Sequence, residues 1–172
     1  GIALLLGFSF PQNFDSPYAA TSVQDFWRRW HMTLSRWLRD YVYIPLGGNR
    51  GTRLFTYRNL MLTMLLGGLW HGAAWTFVVW GGLHGGALVL DHWRQHRPGY
   101  VPPTASTRRL WIARIATFHF VCFAWIFFRA GSFGDAWAMI TGLLTGWGEA
   151  SPLVTGGVLL AIVVGVGSQY LP

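Results

Sequence analysis

Polar and apolar positions along this chain separate on the scale of whole segments, with long uncharged runs set between short arginine-bearing stretches. The longest run, Asn59 to Leu90, holds 32 residues without one Asp, Glu, Lys or Arg. As a single straight helix it would extend about 48 Å, against a hydrocarbon core of roughly 30 Å. Gly67, Gly68 and Gly72 in its first part and Gly81, Gly82, Gly85 and Gly86 in its second mark where it bends or breaks. The pattern therefore predicts two shorter segments, or one long tilted helix with a disturbed middle. Leu110 to Phe128 is 19 residues long, with Arg114 near one end and Arg129 closing it, and reads as a spanning helix. Ala136 to Gly148 is too short to cross and reads as an interfacial or re-entrant segment. Leu153 to Leu171 has span length, and Gly156, Gly157, Gly165 and Gly167 predict close packing on its neighbours.

A different period governs Gln24 to Gly51. Trp27, Trp30, Leu34, Trp37, Leu38 and Tyr41 recur at three- and four-residue steps, the spacing of an amphipathic helix. Arg28, Arg29, Arg36 and Arg39 fall between them, as expected for a helix lying in the headgroup plane with its rings buried. Pro45 and the turn "PLGGNRG" end it. No strand precedes that turn and the Walker spacing is absent, so a phosphate-cradling loop is the weaker reading.

Composition turns these spans toward a membrane, since 52% of residues are hydrophobic, 17% aromatic and only 11% charged. An all-α, polytopic transmembrane protein with interfacial and re-entrant helices is the expected fold class. The opening "GIALLLGFSF" and the apolar close point to a piece of a longer polytopic chain with no signal peptide visible. The net charge of +7 comes from arginine alone. A genome-composition bias accounts for this, as does use of guanidinium forks on anionic lipid heads or a phosphate-bearing substrate. Nucleic acid is not an expected partner, because the basic residues flank apolar spans instead of lining a polar face. Arg50, Arg53 and Arg58 precede the long run while Arg94, Arg97, Arg108 and Arg109 follow it. Short basic loops prefer the cytoplasm, so the run is expected to enter and return. Cys122 permits no internal disulfide and carries no compartment signal.

Candidate chemistry rests on histidine. There is no GxSxG elbow, no HExxH, no CxxC and no pair of membrane carboxylates. His71 lies between Trp70 and Gly72, with Gly67, Gly68, Ala73 and Ala74 close by, and small neighbours leave room for a substrate beside the ring. A neutral imidazole there can accept a proton from a hydroxyl. On an unbroken helix His71 and His84 would stand about 220° and about 20 Å apart, so only a break at the glycines could bring them together, and no metal site is expected. His31, among Trp27, Trp30 and Arg28, is either a headgroup contact or a second chemical residue. His92 and His96 have a metal-compatible i, i+4 spacing but adjoin Arg94 and Arg97, which favours a solvated loop. His119 is most simply a packing residue.

Three blocks in order, "FWRRWHMTLSRWLRDYVYIPLGGNR", "LLGGLWHGAAWTFVVWGGLHG" and "FVCFAWIFFRA", resemble the C-terminal half of the membrane-bound O-acyltransferases. The branch most resembled is bacterial alginate O-acetylation, with its relatives in cell-wall and teichoic-acid acylation. The resemblance covers residues 13–130 of a partial domain spanning 1–172, and 131–172 add C-terminal membrane segments. The N-terminal half of the parent protein is expected to be missing, and this piece alone to be inactive. The resemblance implies a funnel or tunnel through the bilayer of a multi-pass inner-membrane enzyme, with His71 of "LWHGAAW" at its narrow point. His31 of "FWRRWH" aligns with the family's second polar position, often Asn in eukaryotic members, and His84 of "GLHG" with a supporting feature. It implies acyl, chiefly acetyl, transfer from acetyl-CoA or an acylated carrier to an extracytoplasmic polysaccharide, without a bound cofactor. Membrane lipid and periplasmic acetylation proteins are the implied partners. Trp70, Arg28, Arg29, Arg36 and Arg39 are candidate donor contacts. A transporter or flippase subunit, or a non-catalytic assembly subunit, is the alternative from another class.

Overall fold

Thr52 begins the main packing unit of the chain: its hydroxyl accepts the Phe55 backbone N–H at 3.3 Å and satisfies one of the free donors at a helix start. In the computed structural model, residues 2–146 and 154–170 are described, and among them every regular element is a helix. In order these are α1 (Ile2–Leu5), α2 (Val23–Arg29), α3 (Met32–Leu38), α4 (Arg53–His71), α5 (Trp75–Gln95), α6 (Thr107–Arg129), α7 (Phe133–Thr145) and α8 (Gly156–Gly167). A π-helical turn, Arg39–Tyr43, extends α3.

The long uncharged run is two helices, α4 and α5, folded back on each other. The chain breaks at Gly72–Ala74, and Gly67, Gly68, Gly81 and Gly85 remain helical. Those glycines let the two backbones touch. A Cβ on Gly68 would run into the Phe77 carbonyl oxygen, and one on Gly81 into the carbonyl oxygen of Met64. At the other end of α4, Asn59 is fully buried and its amide donates to the Gly48 carbonyl at 2.8 Å, which pins the "PLGGNRG" turn against the helix.

The single amphipathic helix expected from Gln24 onward is instead two short helices. His31 interrupts it with φ 44°, in the left-handed region. Residues before α2 take up the backbone groups this break frees. Met32 N–H donates to the Asn13 carbonyl at 2.9 Å, Asp15 N–H donates to the Arg29 carbonyl at 2.9 Å, and the Asn13 side-chain oxygen accepts from Thr33 N–H at 3.0 Å. Helical spacing survives across such a break, because one left-handed residue redirects the axis without disturbing the period on either side.

Helix α6 contains the span predicted from Leu110 to Phe128, and among the described residues it alone has both the length and the hydropathy to cross a membrane. Helices α4 and α5 have the length, at 19 and 21 residues, but Arg53, Arg58 and Asn59 in α4 and His84, Asp91, His92 and Arg94 in α5 lower the mean hydropathy. The predicted span Leu153 to Leu171 is replaced by the 12-residue α8 and a 3-10 turn, Ser168–Tyr170. At about 18 Å this helix is too short to cross. Among the described residues a Cβ placed on Gly156, Gly165 or Gly167 would meet nothing within 4 Å, and one on Gly157 would meet only Thr155 of its own cap at 3.9 Å. The C-terminal element is tied down by Gln169 and Tyr170, which bond to the backbone of Tyr18 at 3.0 and 2.9 Å. Trp147, Gly148, Leu153 and Leu171, the ends of two predicted segments, lie outside the described residues.

The core sits where α2 meets α4, α5 and α6, built from Phe26, Trp27, Met64, Trp80, Val121 and Ala124. Elsewhere the outward faces are apolar, with Ile112, Leu144, Leu160 and Val163 all more than half exposed.

Candidate active site

His71 is the last residue of α4, directly before the break at Gly72. That position follows from the hairpin: a helix that must turn back leaves its final side chain at the closed end, beside the first turns of its partner. Its half-buried ring is walled by aromatic edges, with centroids at 5.0 Å from Trp70, 5.3 Å from Trp80 and 4.9 Å from Phe128. Among the described residues neither ring nitrogen is hydrogen-bonded or sealed from the outside. An imidazole so placed is held by its ring faces while its nitrogens stay available to a reacting group. The 19 residues of α4 put it about 28 Å along the helix axis from Arg53.

His31 belongs to a different element, at the N-terminus of α3. Its left-handed backbone, at the junction of α2 and α3, turns the half-buried ring toward Phe14, 6.4 Å away. Thr33 Oγ1 stands 3.5 Å from its Nδ1. His31 adjoins Trp30, whose ring stacks on Phe26 of the core at 5.6 Å.

His84 has the opposite environment. It is 1% exposed, and its Nδ1 accepts the indole N–H of Trp27 at 3.1 Å, so its own proton sits on Nε2. Phe26, Trp80 and Phe120 enclose the ring. The break at Gly72–Ala74 does bring His71 and His84 to one aromatic side chain, but Trp80 lies between them, at 5.3 Å from one and 4.9 Å from the other. His84 thus ties α2 to α5 from the interior. Among the described residues no three His, Cys, Asp or Glu side chains converge as metal ligands would. His92 and His96 stack on each other at 4.1 Å, and His119 bonds back to its own helix through the Ile115 carbonyl at 2.8 Å.

The arginines divide. Arg29 pairs with Asp25 at 2.8 Å, and Arg39 with Asp40 at 2.7 Å, a contact that holds the Asp40 carboxyl below its usual range. Arg28 and Arg36 are exposed and form no ion pair among the described residues. Arg39 also borders a cavity of about 170 Å³ with Trp27, Tyr43 and Met64. Trp70 is 60% exposed and edges onto His71. The residues that sequence alone did not single out are Trp80 and Phe128. The i, i+4 spacing of Trp80 and His84 is a visible signal, whereas the approach of Phe128 from α6 is a tertiary fact with no local trace.

A sequence model of the membrane-bound O-acyltransferase family matches residues 1–96. The chain is 50% identical over 145 residues to the "Probable alginate O-acetylase AlgI" of Azotobacter vinelandii, covering 84% of this chain and 28% of that protein. It is 48% identical over 144 residues to the "Peptidoglycan O-acetyltransferase" of Helicobacter pylori, covering 84% of this chain and 27% of that protein. Against the "Teichoic acid D-alanyltransferase" of Bacillus subtilis the identity is 32% over 145 residues, covering 77% and 36%. The chain therefore spans about a quarter to a third of the length of the curated relatives it matches.

Proposed function

The chain belongs to the membrane-bound O-acyltransferase family, and from that premise we propose that it is the histidine-bearing portion of an enzyme that moves an acyl group, acetyl in the first instance, from a thioester to a hydroxyl of an extracytoplasmic polysaccharide. The observation that carries this reading is His71, held by aromatic edges at a helix break with neither ring nitrogen hydrogen-bonded among the described residues.

In this reading the neutral His71 ring takes the proton of the acceptor hydroxyl as its oxygen attacks the acyl carbon. The tetrahedral intermediate collapses with loss of the thiolate, and the proton on His71 passes to the departing sulfur. A thiolate is a better leaving group than an alkoxide, so transfer proceeds without a covalent enzyme intermediate. His31 orients the thioester or donates to the developing oxyanion. Trp70 walls the site, and Arg28 and Arg36, with Arg29 and Arg39 after exchange of their exposed carboxylate partners, meet the phosphates of the donor. The donor is acetyl-CoA or an acylated carrier, and the partners are membrane lipid, the polymer and extracytoplasmic acetylation proteins.

The hairpin of α4 and α5 has arginines at both of its open ends, and α6 has the length and apolarity of a span. This supports a multi-pass protein of the bacterial cytoplasmic membrane in which the hairpin enters and returns. Its tip, with His71, then lies about one helix length, roughly 28 Å, from the basic flank.

The test is the acetyl content of the polymer in cells carrying the full-length parent protein, wild type against His71→Ala, with membrane abundance measured in parallel. Loss of acetyl groups at equal abundance is the expected result. Retained acetylation at equal abundance would sink the catalytic role of His71 and leave transport or assembly as the reading.

A further inference from the structure

Helices α5 and α6 run antiparallel and are packed differently at their two ends. Near the hairpin tip the interface is filled by rings, with Trp80 and Phe128 at 5.3 Å and His84 and Phe120 at 5.6 Å. Toward the other end the facing residues are Gly86, Ala87, Ala113 and Ala116, too small to meet, and a cavity of about 610 Å³ remains between α2, α5, α6 and the 100–103 loop. That volume lies within the range of about 300–1,000 Å³ usual for small-molecule sites. From Trp75 to Asp91 the rise along α5 is about 24 Å, so this cavity is remote from His71.

Its walls are divided by polarity. Ile112 and Phe120 supply apolar surface, and Ile112 is 56% exposed. The one carboxylate on the wall, Asp91, is committed to α2, where it accepts the Gln24 backbone N–H at 3.0 Å. Two guanidiniums, Arg94 and Arg109, also line the cavity. Neighbouring arginines are engaged: Arg97 covers the Trp93 ring at 4.1 Å, and Arg114 donates to the Ala19 carbonyl at 3.2 Å. Among the described residues the side chains of Arg94 and Arg109 make no hydrogen bond, ion pair or ring contact. Two cations without an ion pair among the described residues, Arg94 one helical turn from Asp91 and Arg109 on α6, stand at the margin of the cavity at the basic end of the helix pair and are complementary to an anionic amphiphile.

We propose that this cavity binds the head of an anionic phospholipid, with its phosphate between Arg94 and Arg109 and the first part of an acyl chain along Ile112 and Phe120. A small soluble anion would use the two guanidiniums and leave the apolar wall idle, which is why the lipid is favoured. The site stands on the cavity itself and does not depend on acyl transfer.

The experiment uses the full-length parent protein in nanodiscs containing phosphatidylglycerol and phosphatidylcholine, extracted into mild detergent, with retained lipid counted by native mass spectrometry. Wild type is expected to retain phosphatidylglycerol over phosphatidylcholine. The double variant Arg94→Gln/Arg109→Gln should lose about tenfold or more of it, the scale of two phosphate-directed arginines. Ala113→Phe, which fills the cavity and leaves both cations, should lose it as well, while Arg50→Gln should retain it. Equal retention in wild type and both cavity variants, at matched thermal stability, overturns the proposal. Displacement of the lipid by millimolar inorganic phosphate or coenzyme A also overturns it, by making the site one for soluble anions. Acetyl content is not read, so failure here and failure of the acyltransfer reading remain separate results.

Discussion

At the scale of single residues, His71 and His84 of the α4–α5 hairpin differ by what their nitrogens meet. His84 uses Nδ1 to accept from Trp27, across 57 residues of sequence and wholly inside the core. Replacing it by Phe keeps a ring of similar breadth but leaves the Trp27 N–H without an acceptor, a cost of about 1–3 kcal/mol. His84→Phe in the full-length protein should therefore lower the thermal midpoint measured in detergent. The double variant His84→Phe/Trp27→Phe should lose less than the sum of the two single changes, because the unpaired groups are removed together. Strict additivity would mean that the bond contributes nothing. Among the described residues His71 has no such bond to lose, so its replacement by Ala is expected to leave abundance in place while removing acetylation.

At the scale of elements, the hairpin is held by contact of backbone with backbone. Gly68→Ala and Gly81→Ala each put a methyl group against a carbonyl oxygen of the partner helix, which neither helix can withdraw without separating. Each should cost about 1–3 kcal/mol as overpacking and reduce the amount of protein in the membrane. Gly82→Ala is the control, since its Cβ would find only Leu65 Cδ2, at 3.9 Å. There the helix-propensity gain of up to about 1 kcal/mol should be felt, and abundance should hold or rise. Equal loss from all three would show that helix separation is not the cause. The same geometry explains why the glycines were poor guides to the break. A glycine in an apolar run signals either a bend or a close approach, and local sequence does not separate the two.

At the scale of the whole molecule, what was legible was whatever depends on local period and charge-free length: α6 nearly to its ends, and the division of residues 59–90 into two helices, one of the two readings its glycines allowed. The small neighbours of His71 in sequence are not what surrounds its ring, since Gly67 and Gly68 face Leu38 and Phe77 and the ring meets Trp70, Trp80 and Phe128. What was not legible depends on distant segments. The aromatic wall from Phe128 comes from α6. The same holds for the break between α2 and α3, whose freed backbone groups are met by Asn13 and Asp15, well upstream. That break also limits which residues can stand at its centre. With φ at 44°, position 31 is open to glycine, asparagine, aspartate and histidine and strained for β-branched side chains, before any chemistry is considered. His31→Asn should leave membrane abundance near wild type, whereas His31→Val should lower it whether or not the enzyme is turning over. Histidine and asparagine at position 31 are thus two members of one short alphabet, in which the backbone chooses the letters before any chemistry chooses among them.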